Sequence, residues 1–313
     1  MPADFYLYLG LPLTILLSVV LGGNNFSTCL GASLGAGIVR LSNAILIASA
    51  GVFLGTVIEG GKLSNVLRGG ILQTLSTSAL VSILVSSLLV MIAVTLFHIP
   101  LSLSQAMVGA GWGVALATGT GSTAYSLLVL VSWILSPAVA FAASAMIERI
   151  VLRLGRKVKD IIVLNRMYGD LTLIAGFYAA YALGANTLGL VVGLFPRNLA
   201  DSLSLSVVFS ASTAIGTVFL SRGTVRSVAD NLLGLNPSTA MSAQFGGAFS
   251  VHLFTQLGLP VSMSQAVIGG MGGGASVKQI VILNKRIIQQ IVAGWTVGPL
   301  AGAAISFLLT KAI

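Results

Sequence analysis

The sequence predicts an all-α polytopic membrane protein built from two inverted-topology repeats, with discontinuous helices and re-entrant hairpins. Three observations predict it: too little charge for a water-facing surface, motifs that recur at a nearly constant offset, and an odd number of crossings in the first half. Of the 313 residues only 7% are charged and 56% are hydrophobic, with a mean hydropathy of +1.02. A soluble domain carries about 25% charged residues. A strongly basic balance, net +9, points away from nucleic acid here, because the Lys and Arg residues are scattered through short loops between apolar spans.

Apolar stretches run over 5–20, 44–58, 71–97, 124–147, 171–195, 203–220 and 287–309. A helix needs roughly 20 apolar residues to cross a hydrocarbon core ~30 Å thick, so most of these suffice alone. No cleavable signal peptide is expected, since the first residues lack a basic region and a small-residue cleavage site. The single cysteine, Cys29, excludes an intrachain disulfide and reads as a packing residue.

Four short patterns occur twice in the same order. Ser102-x-Ser104-Gln105 recurs as Ser262-x-Ser264-Gln265, Gly55-Thr56-Val57 as Gly216-Thr217-Val218, Trp133-x-x-x-Pro137 as Trp295-x-x-x-Pro299, and Gly22-Gly23-Asn24 as Gly184-Ala185-Asn186, at offsets of 160 to 162. The halves are accordingly a first transmembrane repeat over 1–150, a basic linker over 151–168 and a second repeat over 169–313. The stretch 149–166 holds six of the 16 Lys and Arg residues, so the positive-inside rule places it in the cytoplasm. Counting back from it gives five crossings in the first half, and the second half therefore starts on the opposite face. This orientation puts 12 basic residues inside, four outside, and both termini outside. Inverted repeats are a common construction of secondary transporters, with the site near the midplane between them.

Polar groups at membrane depth mark pathways. The segments 21–37 and 183–193 set Gly and Asn in the middle of long apolar runs, which predicts discontinuous helices there. Asn24, Asn25, Asn186 and Thr187 are candidate ligands. The other pair follows a proline: Ser102, Leu103, Ser104 and Gln105 after Pro100, and Ser262, Met263, Ser264 and Gln265 after Pro260. Ser caps a helix N-terminus, whose free N–H groups and partial positive charge bind anions without Lys or Arg. Two such cradles related by the inversion converge on one anion at the midplane.

These residues resemble the PiT family of inorganic anion transporters, which carries in each half a Gly-Ala-Asn-Asp-x-x-Asn motif and a Pro-x-Ser-Thr-Thr/Ser hairpin. The resemblance spans the whole chain. It implies an all-helical inverted-repeat fold, an anion held between two hairpins, a homodimer in the cell membrane, and no cofactor, catalytic residue or structural metal. The family's motif Asp is replaced by Asn25 and Thr187, and its final Asn by Thr28 and Leu190, so sodium coupling does not carry over.

The same loss bears on substrate. Phosphate keeps a proton near neutral pH and profits from an acceptor, whereas sulfate wants donors only. With no Asp or Glu in any of the four motifs, the expectation is a sulfate permease, proton-coupled and working by alternating access. Phosphate is the alternative, ahead of other oxyanions or an anion channel. Thr28, Glu59 and His98 are the candidates for ion or proton coupling. A channel would need a continuous polar lining, and an enzyme a nucleophile–base or metal constellation; the sequence offers neither.

Overall fold

The computed structural model describes residues 6–35, 40–97, 101–195, 202–231, 237–279 and 285–313. The first half contains α1 (Leu11–Gly35, entered through a π turn at Tyr6–Gly10), α2 (Leu41–Glu59, ending in a 3₁₀ turn), α3 (Thr77–Leu96), α4 (Leu103–Thr118) and α5 (Thr123–Gly155). The second contains α6 (Ile161–Leu183), which passes through a π turn at Gly184–Leu188 into the short α7 (Gly189–Val192), then α8 (Ser202–Asn231), α9 (Pro237–Gln256), α10 (Met263–Lys278) and α11 (Lys285–Ala312). Among the described residues there is no β-strand, only isolated bridges at Arg68–Leu72 and Leu72–Gly121. Among the described residues six helices are long and apolar enough to span a bilayer: Tyr8–Gly31, Leu41–Leu63, Thr77–Leu96, Thr123–Gly155, Ile161–Val192 and Leu203–Thr224.

Local chemistry sets several boundaries. The apolar run from residue 71 does not begin a helix until Thr77. Gly69 turns at φ +88, and the Ser76 hydroxyl then caps α3 by accepting from Ala79 N at 3.2 Å. Ser122 accepts from Tyr125 N to start α5, and Asp160 accepts from Ile162 N at 2.8 Å to start α6. α4 ends on Gly119 and α10 on Gln279, both in the left-handed region.

The two halves interlock. α1 packs along α8, and its counterpart α6 packs along α2; α4 lies on α11, and α10 on α5. The repeated glycines are where these helices touch. Gly22 abuts the Thr213 backbone and Gly184 the Val52 backbone; Gly216 abuts the Val19 carbonyl and Gly55 the Tyr181 carbonyl. Gly109 and Gly269, which follow the two Ser-x-Ser-Gln motifs, abut Pro299 and Pro137 of the opposite half. A Cβ at any of these positions would collide with backbone. Apolar lipid gives no hydrophobic drive for helices to associate, so small residues that permit close backbone approach hold the bundle. Each contact has its partner through the internal pseudo-two-fold, which explains why Gly-Thr-Val and Trp-x-x-x-Pro occur twice.

One expectation is corrected in detail. The Asn186 motif interrupts its helix with the π turn, but α1 runs unbroken through Gly22, Gly23 and Asn24. Its glycines serve close packing against α8 instead of a helix end.

Candidate functional site

The hairpins α3–α4 and α9–α10 bring the two Ser-x-Ser-Gln motifs together inside the molecule. Ser102, Leu103, Ser104 and Gln105 are buried, and so are Ser262, Met263, Ser264 and Gln265. The join is explicit: the Ser104 hydroxyl donates to the Val261 carbonyl at 2.9 Å, across the halves. Ser102 and Ser104 hydroxyls are 2.7 Å apart, and Ser262 and Ser264 hydroxyls 2.9 Å apart. Ser262 also accepts from Gln265 N, capping α10.

The motif asparagines hold the hairpin approaches. Asn24 Oδ1 accepts from Leu101 N at 3.1 Å, and Asn186 Oδ1 accepts from Val261 N at 3.2 Å. On the other side of each amide, Asn24 Nδ2 donates to Thr95 at 3.4 Å and Asn186 Nδ2 to Thr255 at 2.9 Å. Both amides therefore orient backbone just before the hairpin helices. The second approach is braced further: Trp133 Nε1 donates to the Pro260 carbonyl at 2.9 Å and the Tyr125 hydroxyl to the Gly258 carbonyl at 2.8 Å. Sequence reasoning did not find these braces, although Trp133 stood in a repeated motif.

The remaining amides behave differently. Gln105 is fully buried, and neither its Oε1 nor its Nε2 has a partner; Asn25 Oδ1 and Gln265 Oε1 are likewise unpartnered. Thr187 is buried in the π turn and Thr28 half-buried on α1. A small apolar cavity bounded by Leu21, Phe26, Val52, Leu183 and Thr213 lies between α1, α2, α6 and α8, and no hairpin residue lines it. Its walls suit packing, not a dianion, so the hairpin tips remain the candidate site.

Of the coupling candidates, His98 lies outside the described residues. Glu59 does not sit alone in a loop. Its Oε2 is 3.0 Å from His252 Nε2 and accepts from Gln256 Nε2 at 2.7 Å. His252 Nδ1 in turn meets the Tyr178 hydroxyl at 2.9 Å, and Lys62 donates to Gln256 Oε1. This cluster ties α2 to α6 and to α9, one arm of the second hairpin.

A second cluster was not singled out in the sequence. Glu148 is fully buried. Its carboxylate accepts from Ser238 at 2.8 Å, Thr239 at 3.3 Å and Ser242 at 2.7 Å, and pairs with Lys278 Nζ at 2.9 Å. The available signal was Ser238 and Ser242 one helical turn apart, on one face of α9.

A family model described as the phosphate transporter family matches residues 21–168 and again 155–306. The chain belongs to the phosphate transporter family. That family is one of transporters in a membrane, with inorganic anions as substrates, and the six apolar helices agree with a multi-pass membrane protein. Relatives include a protein described as a phosphate permease in Methanocaldococcus jannaschii, 28% identical over 59% of this chain and 60% of its own length. The sulfate permease CysP of Bacillus subtilis is 24% identical over 93% of this chain and 83% of its own. A Rhizobium meliloti protein described as a low-affinity inorganic phosphate transporter is 26% identical over 68% and 67%. The solved structure of a sodium-dependent phosphate transporter superimposes with a TM-score of 0.83 over 96% of this chain and 97% of its own. At 18% identity that likeness within the phosphate transporter family is one of fold.

Proposed function

We propose that this chain is a secondary permease that moves an inorganic tetrahedral oxyanion by alternating access, with phosphate as its substrate. The observation that carries the reading is the contact of Ser104 with the Val261 carbonyl, which sets two helix N-termini against each other at the pseudo-two-fold. Helix N-termini present unpaired N–H groups and a partial positive charge, so both repeats face one anion. Ser102, Leu103, Ser104, Gln105, Ser262, Met263, Ser264 and Gln265 form the binding region. Asn24 and Asn186 act on it through the hairpin backbone, while Asn25 and Thr187 lie beside them. The two repeats, 1–150 and 169–313, rock around this fixed point.

Phosphate replaces sulfate as the first choice. Family membership and most of the named relatives favour it. Sulfate remains the second reading on two specific grounds: no carboxylate stands at positions 25 and 187, and a relative matched over 93% of the chain is a sulfate permease.

Protons are the proposed coupling ion, bound at the Glu59–His252 pair. The same reading includes a homodimer in the cell membrane with both termini outside, the latter from the distribution of Lys and Arg.

Uptake of radiolabelled phosphate and sulfate into proteoliposomes, with pH and sodium gradients imposed separately, tests the proposal. Phosphate uptake driven by an inward proton gradient is expected. His252→Gln should flatten the pH dependence while leaving anion binding intact. Uptake that ignores the pH gradient and follows sodium would refute the coupling, and absence of uptake of either anion would refute the permease.

A further inference from the structure

We infer that the hairpin site takes its oxyanion in a protonated form and that Gln105 reads the proton. The inference rests on the hairpins being the anion site and concerns which chemical class of anion they select.

A serine hydroxyl has one hydrogen to donate. Ser104 gives its hydrogen to the Val261 carbonyl. In the 2.7 Å contact between Ser102 and Ser104, Ser102 must then be the donor. Both hydroxyl hydrogens of the first hairpin are thus committed inside the protein. In the second hairpin the Ser262–Ser264 contact commits one more and leaves one.

The acceptors run the other way. Among the described residues near the two tips, Asn25 Oδ1, Gln105 Oε1 and Gln265 Oε1 are buried without a partner, as are the donors Gln105 Nε2 and Trp295 Nε1. Buried polar atoms are normally paired. A bound anion therefore meets helix N–H groups that neutralise its charge and amide oxygens that need a hydrogen. Sulfate brings none. Hydrogen phosphate brings a P–OH, and a primary amide answers it fully: Gln105 Oε1 accepts from the P–OH while Nε2 donates to an unprotonated oxygen. Gln105 is singled out because both of its polar atoms are open and it lies in the first turn of α4. No carboxylate is required for this, which removes the physical objection that the carboxylate-free motifs raised against phosphate. A site that hydrogen-bonds a substrate OH strongly rejects analogues lacking it, because its own buried group is then left unpaired.

The test uses the purified full-length chain in proteoliposomes and pairs anions of similar shape that differ in protonation. Arsenate is protonated near neutral pH like phosphate, and selenate is not, like sulfate. In the wild type, arsenate should compete with phosphate uptake at least about tenfold better than selenate. Gln105→Leu should lower phosphate and arsenate recognition by about the same factor and narrow the gap to sulfate and selenate, and Gln105→Asn should restore part of it. The wild-type competition stands even if the Leu variant fails to insert. Selenate matching or beating arsenate in the wild type would overturn the inference while leaving an oxyanion permease in place. A Gln105→Leu variant that changes only the cation dependence would overturn it too, by giving the amide to a coupling ion. Uptake of none of the four anions would instead strike down the permease reading itself.

Discussion

At the scale of single residues, the two asparagines of the repeated motif are distinguished by what they hold. Asn24 and Asn186 each accept from a backbone N–H just before a hairpin helix. Leaving such a buried N–H unpaired costs about 1–3 kcal/mol. Asn24→Leu should therefore lower thermal stability in detergent and abolish uptake, whereas Asn24→Asp, which keeps an acceptor for Leu101 N, should lose less of both. Equal losses in the two variants would show that the acceptor is not what matters. Glu148 gives a harsher case. Lys278→Met would strand a fully buried carboxylate beside three hydroxyls, and breaking a buried pair on one side costs about 3–5 kcal/mol. The double variant Glu148→Gln/Lys278→Met should recover most of that loss in a thermal-shift measurement. At Gln279 a non-glycine residue sits at φ 55, in the position that Gly119 fills in the first half. Gln279→Gly should stabilise by about 1 kcal/mol.

At the scale of elements, the two hairpins share the Ser-x-Ser-Gln motif at their tips and differ in their supports. α9 is tied near one end by Glu148 and near the other by Glu59 through His252 and Gln256. The residues that stand at the corresponding places in the other half, Thr310, Leu220, Ile92 and Thr118, are uncharged. Hydrogen exchange should accordingly be slower along α9 than along α3 in the purified protein; equal protection of the two would contradict a role for these ties. The helix crossings make a sharper demand. Gly109 and Gly269 touch Pro299 and Pro137 so closely that a side chain cannot enter. Gly109→Leu should prevent α4 from seating on α11 and give a protein that does not survive extraction into detergent.

At the scale of the whole molecule, the sequence carried the architecture well. Hydropathy and the constant offsets specify a membrane bundle of two related halves, because lipid leaves helices as the economical way to satisfy backbone polar groups. The hairpin tips were legible for the same reason: Ser-x-Ser-Gln is costly in an apolar run unless something pairs with it. Other features were not. Gly22 and Gly23 read as a helix break, since one glycine in a sequence looks the same whether it ends a helix or admits a neighbour; only α8 lying against α1 decides. The hold of Asn24 and Asn186 on the hairpin backbone was not legible, because the groups they hold lie about 75 residues away in sequence. The burial of Glu148 was not legible either, as its hydroxyl partners come from α9. The preference for phosphate over sulfate came from family membership, which composition does not carry. Composition counts donors, but it cannot show that Ser104 gives its hydrogen to Val261.

The central claim is that both hairpins build one oxyanion site. Equilibrium binding of radiolabelled phosphate to the purified chain tests it most directly, with the wild type compared against Ser104→Ala and Ser264→Ala. One anion per chain is predicted, with each substitution weakening that same site. Two independent sites per chain, or binding that one hairpin can lose without effect, would contradict it.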